Sequence, residues 1–151
     1  WGKIAAAIKQ SNALLAATLS KDADKVAEII DQAHDAYTSI LKYNDENSLS
    51  CVITMAYFTA PQYYTVIREL PTGKGFADLA FIPHKKSGKP PMIIELKWDK
   101  TADTAIRQIK EKRYAGVLKD FGDEILSVGI SYDKESEDKK HSCVIESAKE
   151  V

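Results

Sequence analysis

Three charged side chains fall within segments whose other residues are typical of buried strands. Glu95 and Lys97 belong to Ile-Ile-Glu-Leu-Lys-Trp at residues 93–98, and Asp78 lies seventeen positions before Glu95 in Phe-Ala-Asp-Leu-Ala-Phe-Ile. Burying an unpaired charge costs several kcal/mol, so such residues usually share a partner, most simply a divalent metal ion. The three residues therefore outline a site for metal-dependent phosphodiester chemistry.

Strand geometry predicts that these residues meet. Side chains alternate between the two faces of a strand, so Glu95 and Lys97 share a face. If segment 76–82 pairs antiparallel with segment 92–98, Asp78 comes beside Glu95 or Lys97. Two carboxylates completed by water and a substrate phosphate suit Mg²⁺, with Mn²⁺ as the alternative ion. The ion would polarise a phosphate oxygen, and Lys97 would orient the attacking water and offset developing charge.

Each of these features also has a simpler explanation. A Glu-x-Lys triplet is common as an exposed pair on a sheet face, and Asp78 alone could be an edge carboxylate. In the predicted helix that follows, Gln108 lies one turn from Lys112 on the same face. These two residues could brace Lys97 or touch the phosphate, although glutamines on helices usually face solvent. His34, His84 and His141 are expected to form no cluster and receive no role.

The charge of the chain is unevenly distributed. Residues 84–119 carry 10 basic and 4 acidic side chains, whereas residues 1–83 carry 7 and 9, and residues 120–151 carry 4 and 9. A basic block that begins beside the predicted metal site is suited to contacts with a phosphate backbone. The alternative is a solvated helix face.

The length of 151 residues and the 44% hydrophobic content predict one compact unit. We expect a helical lead-in at residues 1–40 that packs on a domain at residues 41–151. Cys51 and Cys143 have no CxxC spacing, which disfavours a disulfide framework or a zinc site and favours a cytoplasmic setting. No apolar run is long enough to cross a membrane. A start at Trp1 rather than Met suggests a fragment of a longer protein.

Hydrophobic periodicity predicts helices followed by strands. Helices are expected at 4–19, at 22–39 with Ser20 and Asp22 as caps, from about 44 to 59 where Pro61 ends the helix, and at about 101–119. Strands are expected at 63–70, 76–82, 92–98, 125–132 and 142–146, with a turn at 71–75. The first three strands are predicted to pair antiparallel.

Four motifs in this order resemble the PD-(D/E)XK nuclease superfamily. They are Gly-Lys-Gly-Phe-Ala-Asp, Ile-Ile-Glu-Leu-Lys, Ala-Ile-Arg-Gln-Ile-Lys-Glu-Lys-Arg-Tyr and Ser-Val-Gly-Ile-Ser-Tyr-Asp. More narrowly, the chain is similar to the nuclease-like domain that follows an AAA-ATPase-like region in many bacterial proteins. The resemblance runs from about Leu14 to Glu146, and the order of the motifs makes it far more specific than Glu-x-Lys alone.

The resemblance implies a restriction-endonuclease-like α/β core, with a central mixed sheet flanked by helices. It implies Asp78 and Glu95 as metal ligands, with Lys97 as the catalytic lysine and the Leu96 carbonyl as a further ligand. It also covers three helix residues, since Glu46 falls where the family often has a glutamate near the site, and Gln108 and Tyr114 match its Gln-containing helix motif. We therefore expect Glu46 and Gln108 in the catalytic set, and Tyr114 at the nucleic acid together with Lys112 from the same helix. Ala77 replaces the nominal proline of the motif, and Phe76 stands where the subfamily usually has arginine.

Three functions therefore stay open. The first is a Mg²⁺-dependent nuclease that acts on DNA, with a dimer expected if one site per chain cuts both strands. The second is a nuclease-fold module that binds nucleic acid or a partner without cutting, which Phe76 in place of arginine mildly favours. The third is a regulatory domain for an upstream ATPase, since the chain itself has no Gly-x-x-x-x-Gly-Lys-Ser/Thr phosphate loop.

Overall fold

The computed structural model describes residues 2–37, 46–72, 75–98, 102, 104–107, 118–137 and 140–149. Three helices come first, α1 (Gly2–Leu19), α2 (Ala23–Tyr37) and α3 (Glu46–Ala56). Five strands follow, β1 (Tyr64–Thr72), β2 (Gly75–Pro83), β3 (Met92–Trp98), β4 (Glu124–Tyr132) and β5 (His141–Lys149). Residues 102, 104–107 and 118 are helical, and short 3₁₀ turns occupy Ala60–Gln62 and Lys119–Phe121.

The connection between α1 and α2 is a tight reversal built by capping. Lys21 adopts a left-handed backbone with φ 62°, and the amides of Lys21 and Asp22 donate to the carbonyls of Thr18 and Ala17. This pattern closes the C-terminus of α1. Asp22 Oδ1 then accepts the Lys25 amide at 3.1 Å, as predicted for a cap of α2. Ser20 instead contacts the C-terminal end of α1, because its hydroxyl donates to the Ala17 carbonyl.

The strands form one mixed sheet in the order β1-β2-β3-β4-β5. Pairing is antiparallel for β1 with β2, β2 with β3 and β4 with β5, whereas β3 and β4 are parallel. The predicted antiparallel arrangement of the first three strands is therefore confirmed. Parallel neighbours need a long crossover, which the chain between β3 and β4 supplies. None of the helices in the described ranges is long and apolar enough to cross a bilayer.

Pairing makes two elements longer than predicted. The β1–β2 hairpin continues through Pro71 and Thr72, which pair with Phe76 and Gly75, so the predicted turn is shorter. β5 pairs with β4 along its whole length, from His141 opposite Tyr132 to Lys149 opposite Glu124. Hydrogen bonds to a neighbouring strand thus extend both elements into polar sequence, where local periodicity gives no strand signal.

The sheet is covered on both faces. The larger apolar cluster joins the three helices to one face of the sheet, and its strand members include Leu79, Phe81, Ile94, Leu96, Val128 and Ile130. The smaller cluster lies on the other face and contains Ala80, Ile93, Ile106, Leu118 and Ile125. Alternation along β2 and β3 puts Asp78, Glu95 and Lys97 on the face of the smaller cluster.

Gly129 of β4 allows the helical segment after β3 to pack directly on the sheet. A Cβ atom at this position would lie 2.5 Å from the Ala102 carbonyl oxygen, 3.0 Å from Ala105 Cβ and 3.1 Å from Ile106 Cγ1. The first of these contacts is with backbone, so no rotamer change could relieve it. Gly129 pairs with Glu95 in the parallel ladder, and the close approach is therefore beside that carboxylate.

We expect Gly129→Ala to destabilise the protein by about 1–3 kcal/mol, because the helical segment must move away from the sheet. Gly2→Ala is the matched control, since a Cβ at Gly2 meets no atom within 4 Å. The measurement is the free energy of unfolding from urea titration. Equal stability of Gly129→Ala and the parent protein would contradict the close packing.

Candidate functional site

The three charged residues of the predicted site lie at one end of the β2–β3 pair. The antiparallel register runs from Phe81 opposite Met92 to Leu79 opposite Ile94. One step further along this register, Asp78 stands opposite Glu95. The structure therefore brings the two carboxylates to neighbouring strands on one face, and Lys97 follows two residues later on that face.

Asp78 is anchored to β3 by its side chain. Its Oδ2 atom accepts the Leu96 amide at 2.8 Å, at the point where main-chain pairing between β2 and β3 has ended. A carboxylate thus takes the place that a backbone carbonyl usually has in a ladder. The bond holds the Asp78 carboxylate against the Glu95–Lys97 segment.

The main-chain ladder is interrupted at Asp78 on its other side as well. Arg68 pairs with Leu79 and Leu70 pairs with Ala77, but Glu69 and Asp78 between them do not pair. Glu69 has φ 55°, a left-handed conformation that costs a side-chain-bearing residue of order 1 kcal/mol or more. Local strain in β1 therefore accompanies the release of the Asp78 backbone from both neighbouring strands.

Burial differs among the three site residues. Glu95 is 0% exposed, whereas Asp78 and Lys97 are partly exposed. Solvent and any substrate therefore approach from the end at which β2 begins and β3 ends. The Lys97 ammonium forms no ion pair within the described part of the chain.

Two residues of β4 lie next to the candidate site on the neighbouring strand. The sequence did not predict them as site residues. Gly129 pairs with Glu95 and Ser131 pairs with Lys97 in the parallel ladder. Ser131 is 2% exposed, and its Oγ atom has no hydrogen-bond partner among the described residues. An unsatisfied buried hydroxyl costs about 1–3 kcal/mol. The signals in the sequence were the motif Ser-Val-Gly-Ile-Ser-Tyr-Asp and the alternation of large apolar residues with glycine and serine in it.

The remaining predicted residues are only partly covered by the described part of the chain. Gln108, Lys112 and Tyr114 fall outside the described residues. Glu46 begins α3, which packs on the opposite face of β3 from Glu95, and its side chain is not described. Leu96 is fully buried with its side chain in the larger cluster, so its main chain is the part that faces Asp78.

The prediction that the basic block begins beside the site is wrong for its first lysines. Lys85 and Lys86 are exposed in the loop between Pro83 and Met92, and Lys89 lies over the Tyr63 ring at 4.5 Å. This loop joins the far ends of β2 and β3. At roughly 3.3 Å per residue, the five residues from Asp78 to Pro83 separate it from the site by about 17 Å.

The residues at this end of the sheet fit a hard divalent cation. Asp78 and Glu95 offer carboxylate oxygens, and Mg²⁺ typically combines one or two carboxylates with water and substrate phosphate. Within the described ranges, no group of three or more His, Cys, Asp or Glu residues is arranged to hold a metal. Backbone, water and substrate oxygens are the further donors that such an ion commonly takes.

The expectation that the histidines form no cluster is wrong for two of them. His34 and His141 have ring centroids 5.2 Å apart, and Tyr132 lies 5.5 Å and 5.0 Å from these rings. His141 Nδ1 lies 2.5 Å from Asp31 Oδ1, which also accepts the His141 amide at 3.0 Å. Residues 110 positions apart in sequence meet here, which no local pattern could reveal. His84 is exposed in the β2–β3 loop, away from this cluster.

This cluster connects α2 to the site strands. Tyr132 ends β4 and stacks against Trp98, the last residue of β3, with centroids 4.6 Å apart. Trp98 directly follows Lys97, but its side chain packs with the larger cluster on the opposite face. The aromatic cluster thus supports the end of β3 from behind the site.

The family model of the PD-(D/E)XK nuclease superfamily matches residues 44–142. The mixed five-stranded sheet with helices on both faces is the restriction-endonuclease-like α/β fold that the sequence predicted. The chain therefore belongs to the PD-(D/E)XK nuclease superfamily, whose members generally use divalent metals and act on nucleic acids. The sequence matches none of the curated proteins with which it was compared.

The histidine cluster makes stability depend on pH. Burial lowers the pKa of both His34 and His141 below the ordinary value of 6.5 and outweighs the opposing influence of Asp31 and Asp35, while Lys140 lowers the pKa of His34 further. The unfolded chain therefore binds more protons than the folded chain just below pH 6.5. Stability conferred by the neutral imidazoles is present above this pH and is lost as the pH falls through the lowered values.

We expect the Tm of His141→Asn to fall less than the Tm of the parent protein when the pH is lowered from 7.5 to 5. The asparagine amide can still donate to Asp31 but does not titrate. His84→Gln is the control, because His84 is exposed. The measurement is Tm against pH for the three proteins, and parallel curves for His141→Asn and the parent would contradict the assignment.

Proposed function

We propose that this chain is a Mg²⁺-dependent nuclease that hydrolyses phosphodiester bonds in DNA. Membership of the nuclease superfamily supports the class of reaction. The convergence of Asp78 and Glu95 across β2 and β3, with Lys97 on the same face, supports the location of the site. The single observation that carries most weight is the hydrogen bond from Leu96 to Asp78, because it fixes one carboxylate beside the strand that bears the other two residues.

Each side chain has a distinct task in this proposal. Asp78 and Glu95 hold the cation, and the Leu96 carbonyl is a further oxygen donor. The Lys97 ammonium hydrogen-bonds the attacking water and stabilises the negative charge that grows on the phosphate oxygens. The water oxygen forms a bond to phosphorus and releases one proton to solvent, while the bond from phosphorus to the leaving sugar oxygen breaks. A proton from solvent neutralises that leaving oxygen.

When bound, a divalent cation would polarise the phosphate and lower the pKa of the water that it holds. Glu95 contributes a fully buried carboxylate to that environment. Electrostatic interactions are stronger where water is excluded, so the buried carboxylate binds a cation more effectively than a surface one. The partly exposed Asp78 and Lys97 leave an approach for the nucleic acid.

Several finer parts of the proposal depend on the resemblance and on the sequence. Gln108 and Glu46 would support the catalytic set, and Lys112 and Tyr114 would contact nucleic acid. The setting would be cytoplasmic, with the domain beginning near residue 41 after the helical lead-in. The chain would follow an AAA-ATPase-like region in a longer bacterial protein, and a dimer would be needed for cutting of both strands.

Metal binding can be tested without catalysis. We expect Mg²⁺ or Mn²⁺ to raise the Tm of the parent protein, because an ion that binds only the folded state stabilises it by about 2.7 kcal/mol at a hundredfold excess over Kd. Asp78→Asn and Glu95→Gln should lose most of this increase. Asp120→Asn is the matched control, since Asp120 is exposed away from the site strands. An undiminished increase in Glu95→Gln would place the ion elsewhere.

Cleavage is tested with labelled single-stranded, duplex and branched DNA in Mg²⁺ or Mn²⁺ and in EDTA. We expect metal-dependent cutting that falls by about a hundredfold or more in Glu95→Gln and in Lys97→Met, since each removes a group that stabilises the transition state. Lys85→Ala removes one exposed lysine in the remote loop and should retain activity.

The outcome of that assay separates the nuclease from the two alternatives. A folded parent protein that cuts none of the substrates would contradict the proposal. Retained binding to the same DNA would then favour a nucleic-acid-binding module. Loss of both activities would favour a regulatory domain of an ATPase-like protein.

A further inference from the structure

The Asp78 carboxylate bonds to β3 in a direction that a regular strand does not favour. Side chains of a strand stand roughly perpendicular to the sheet, whereas the amides of the next strand donate in its plane. Asp78 Oδ2 nevertheless accepts the Leu96 amide at 2.8 Å, beyond the point where the ladder of β2 and β3 ends at Leu79 opposite Ile94. A carboxylate reaches such an amide most easily where its own strand departs from regular ladder geometry.

Glu69 of β1 stands directly opposite Asp78 at an interruption of the other ladder. The pairs on either side of the interruption keep one register, and they are Arg68 with Leu79 and Leu70 with Ala77. Neither strand therefore carries the extra residue that defines a β-bulge. The interruption is instead a change of backbone conformation between two regular pairs.

The backbone of Glu69 accounts for this interruption. Its φ is 55°, in the left-handed region, instead of the value of about −140° in a regular antiparallel strand. The side chain of Glu69 is exposed, so its burial does not explain the unusual conformation. Strained backbone persists where the surrounding structure imposes it, and such positions cluster at functional sites. The neighbouring feature of β2 is the Asp78 carboxylate bound to Leu96.

We propose that Glu69 is a positioning residue for Asp78 and acts through its left-handed main chain rather than through its carboxylate. An extended Glu69 would hold the main chain of Asp78 in the ladder with β1, and the Asp78 side chain would then stand perpendicular to the sheet. The left-handed conformation releases Asp78 at this one position, so its carboxylate can turn toward Leu96. The inference rests on the proposed function for its purpose, because Asp78 is one of the two carboxylates that would hold the cation.

Three substitutions separate the main chain of Glu69 from its side chain. Glycine and asparagine adopt the left-handed region more readily than other residues, whereas a β-branched residue strongly disfavours it. Glu69→Gly and Glu69→Asn remove the carboxylate and keep the conformation, and Glu69→Val removes both. Thr65→Val is the matched control, because Thr65 is exposed on the same strand and pairs with Ile82 in the regular part of the ladder.

Amide hydrogen exchange tests the Asp78 anchor in the metal-free protein, without catalysis. The exchange rate of the Leu96 amide is measured by NMR relative to that of Ile94, which pairs with Leu79 and reports general opening of the sheet. We expect this ratio to rise about tenfold in Glu69→Val, as for one lost hydrogen bond to a charged group, and to rise at least as much in Asp78→Ala. The ratio should stay at the parent value in Glu69→Gly, Glu69→Asn and Thr65→Val.

Mn²⁺ binding gives a second readout. The Kd for Mn²⁺, measured by calorimetry, is expected to rise several-fold in Glu69→Val and to stay unchanged in Glu69→Gly. An unchanged exchange ratio in a folded Glu69→Val protein would overturn the inference. An equal rise in Glu69→Gly and Glu69→Val would also overturn it, because the carboxylate of Glu69 would then be the part that matters. If the parent protein neither binds Mn²⁺ nor cuts DNA, the proposed nuclease fails, while the exchange ratios still decide the role of Glu69.

Discussion

The rest of the site depends on the complete burial of one carboxylate in the central strand. Glu95 is 0% exposed in β3, a strand that is covered on both faces and flanked by β2 and β4. A charged group in such a place is costly unless its surroundings are polar or bring a cation. Asp78 stands opposite on one side and adds a second negative charge, so a cation shared by the two carboxylates would lower this cost, whereas the small residues Gly129 and Ser131 lie on the other side.

The two faces of the sheet differ in what packs against them. Three helices cover one face with the larger apolar cluster, which gives β3 a rigid support. On the other face the smaller cluster includes Ile106 and Leu118 from the described part of the connection between β3 and β4, and the polar residues lie toward the strand end. Because Gly129 has no side chain, residues 102, 105 and 106 approach β4 closely at the position that pairs with Glu95. The larger apolar cluster and the residues of the candidate site therefore lie on opposite faces of the same sheet.

Local periodicity was enough to predict most of the elements and the placement of Asp78, Glu95 and Lys97 on one face of the sheet. The period of two put Glu95 and Lys97 on one face, and antiparallel pairing of consecutive strands put Asp78 beside them. Features that depend on distant pairing were missed. The contact between Asp31 and His141 and the position of Ser131 beside Lys97 both follow from the order of strands in the sheet. The left-handed backbone of Glu69 also had no signal, because glutamate is not a residue that usually adopts it.

The strand order has a consequence for the way the chain folds. Consecutive strands are neighbours throughout the sheet, so most of the pairing closes short loops and has a modest entropic cost. The hydrogen bonds between Asp31 and His141 instead join segments 110 positions apart and attach α2 to the last strand. Contacts of such long range are the slowest to form. We expect the junction of α2 and β5 to form late in folding, so that its loss would accelerate unfolding more than it slows folding.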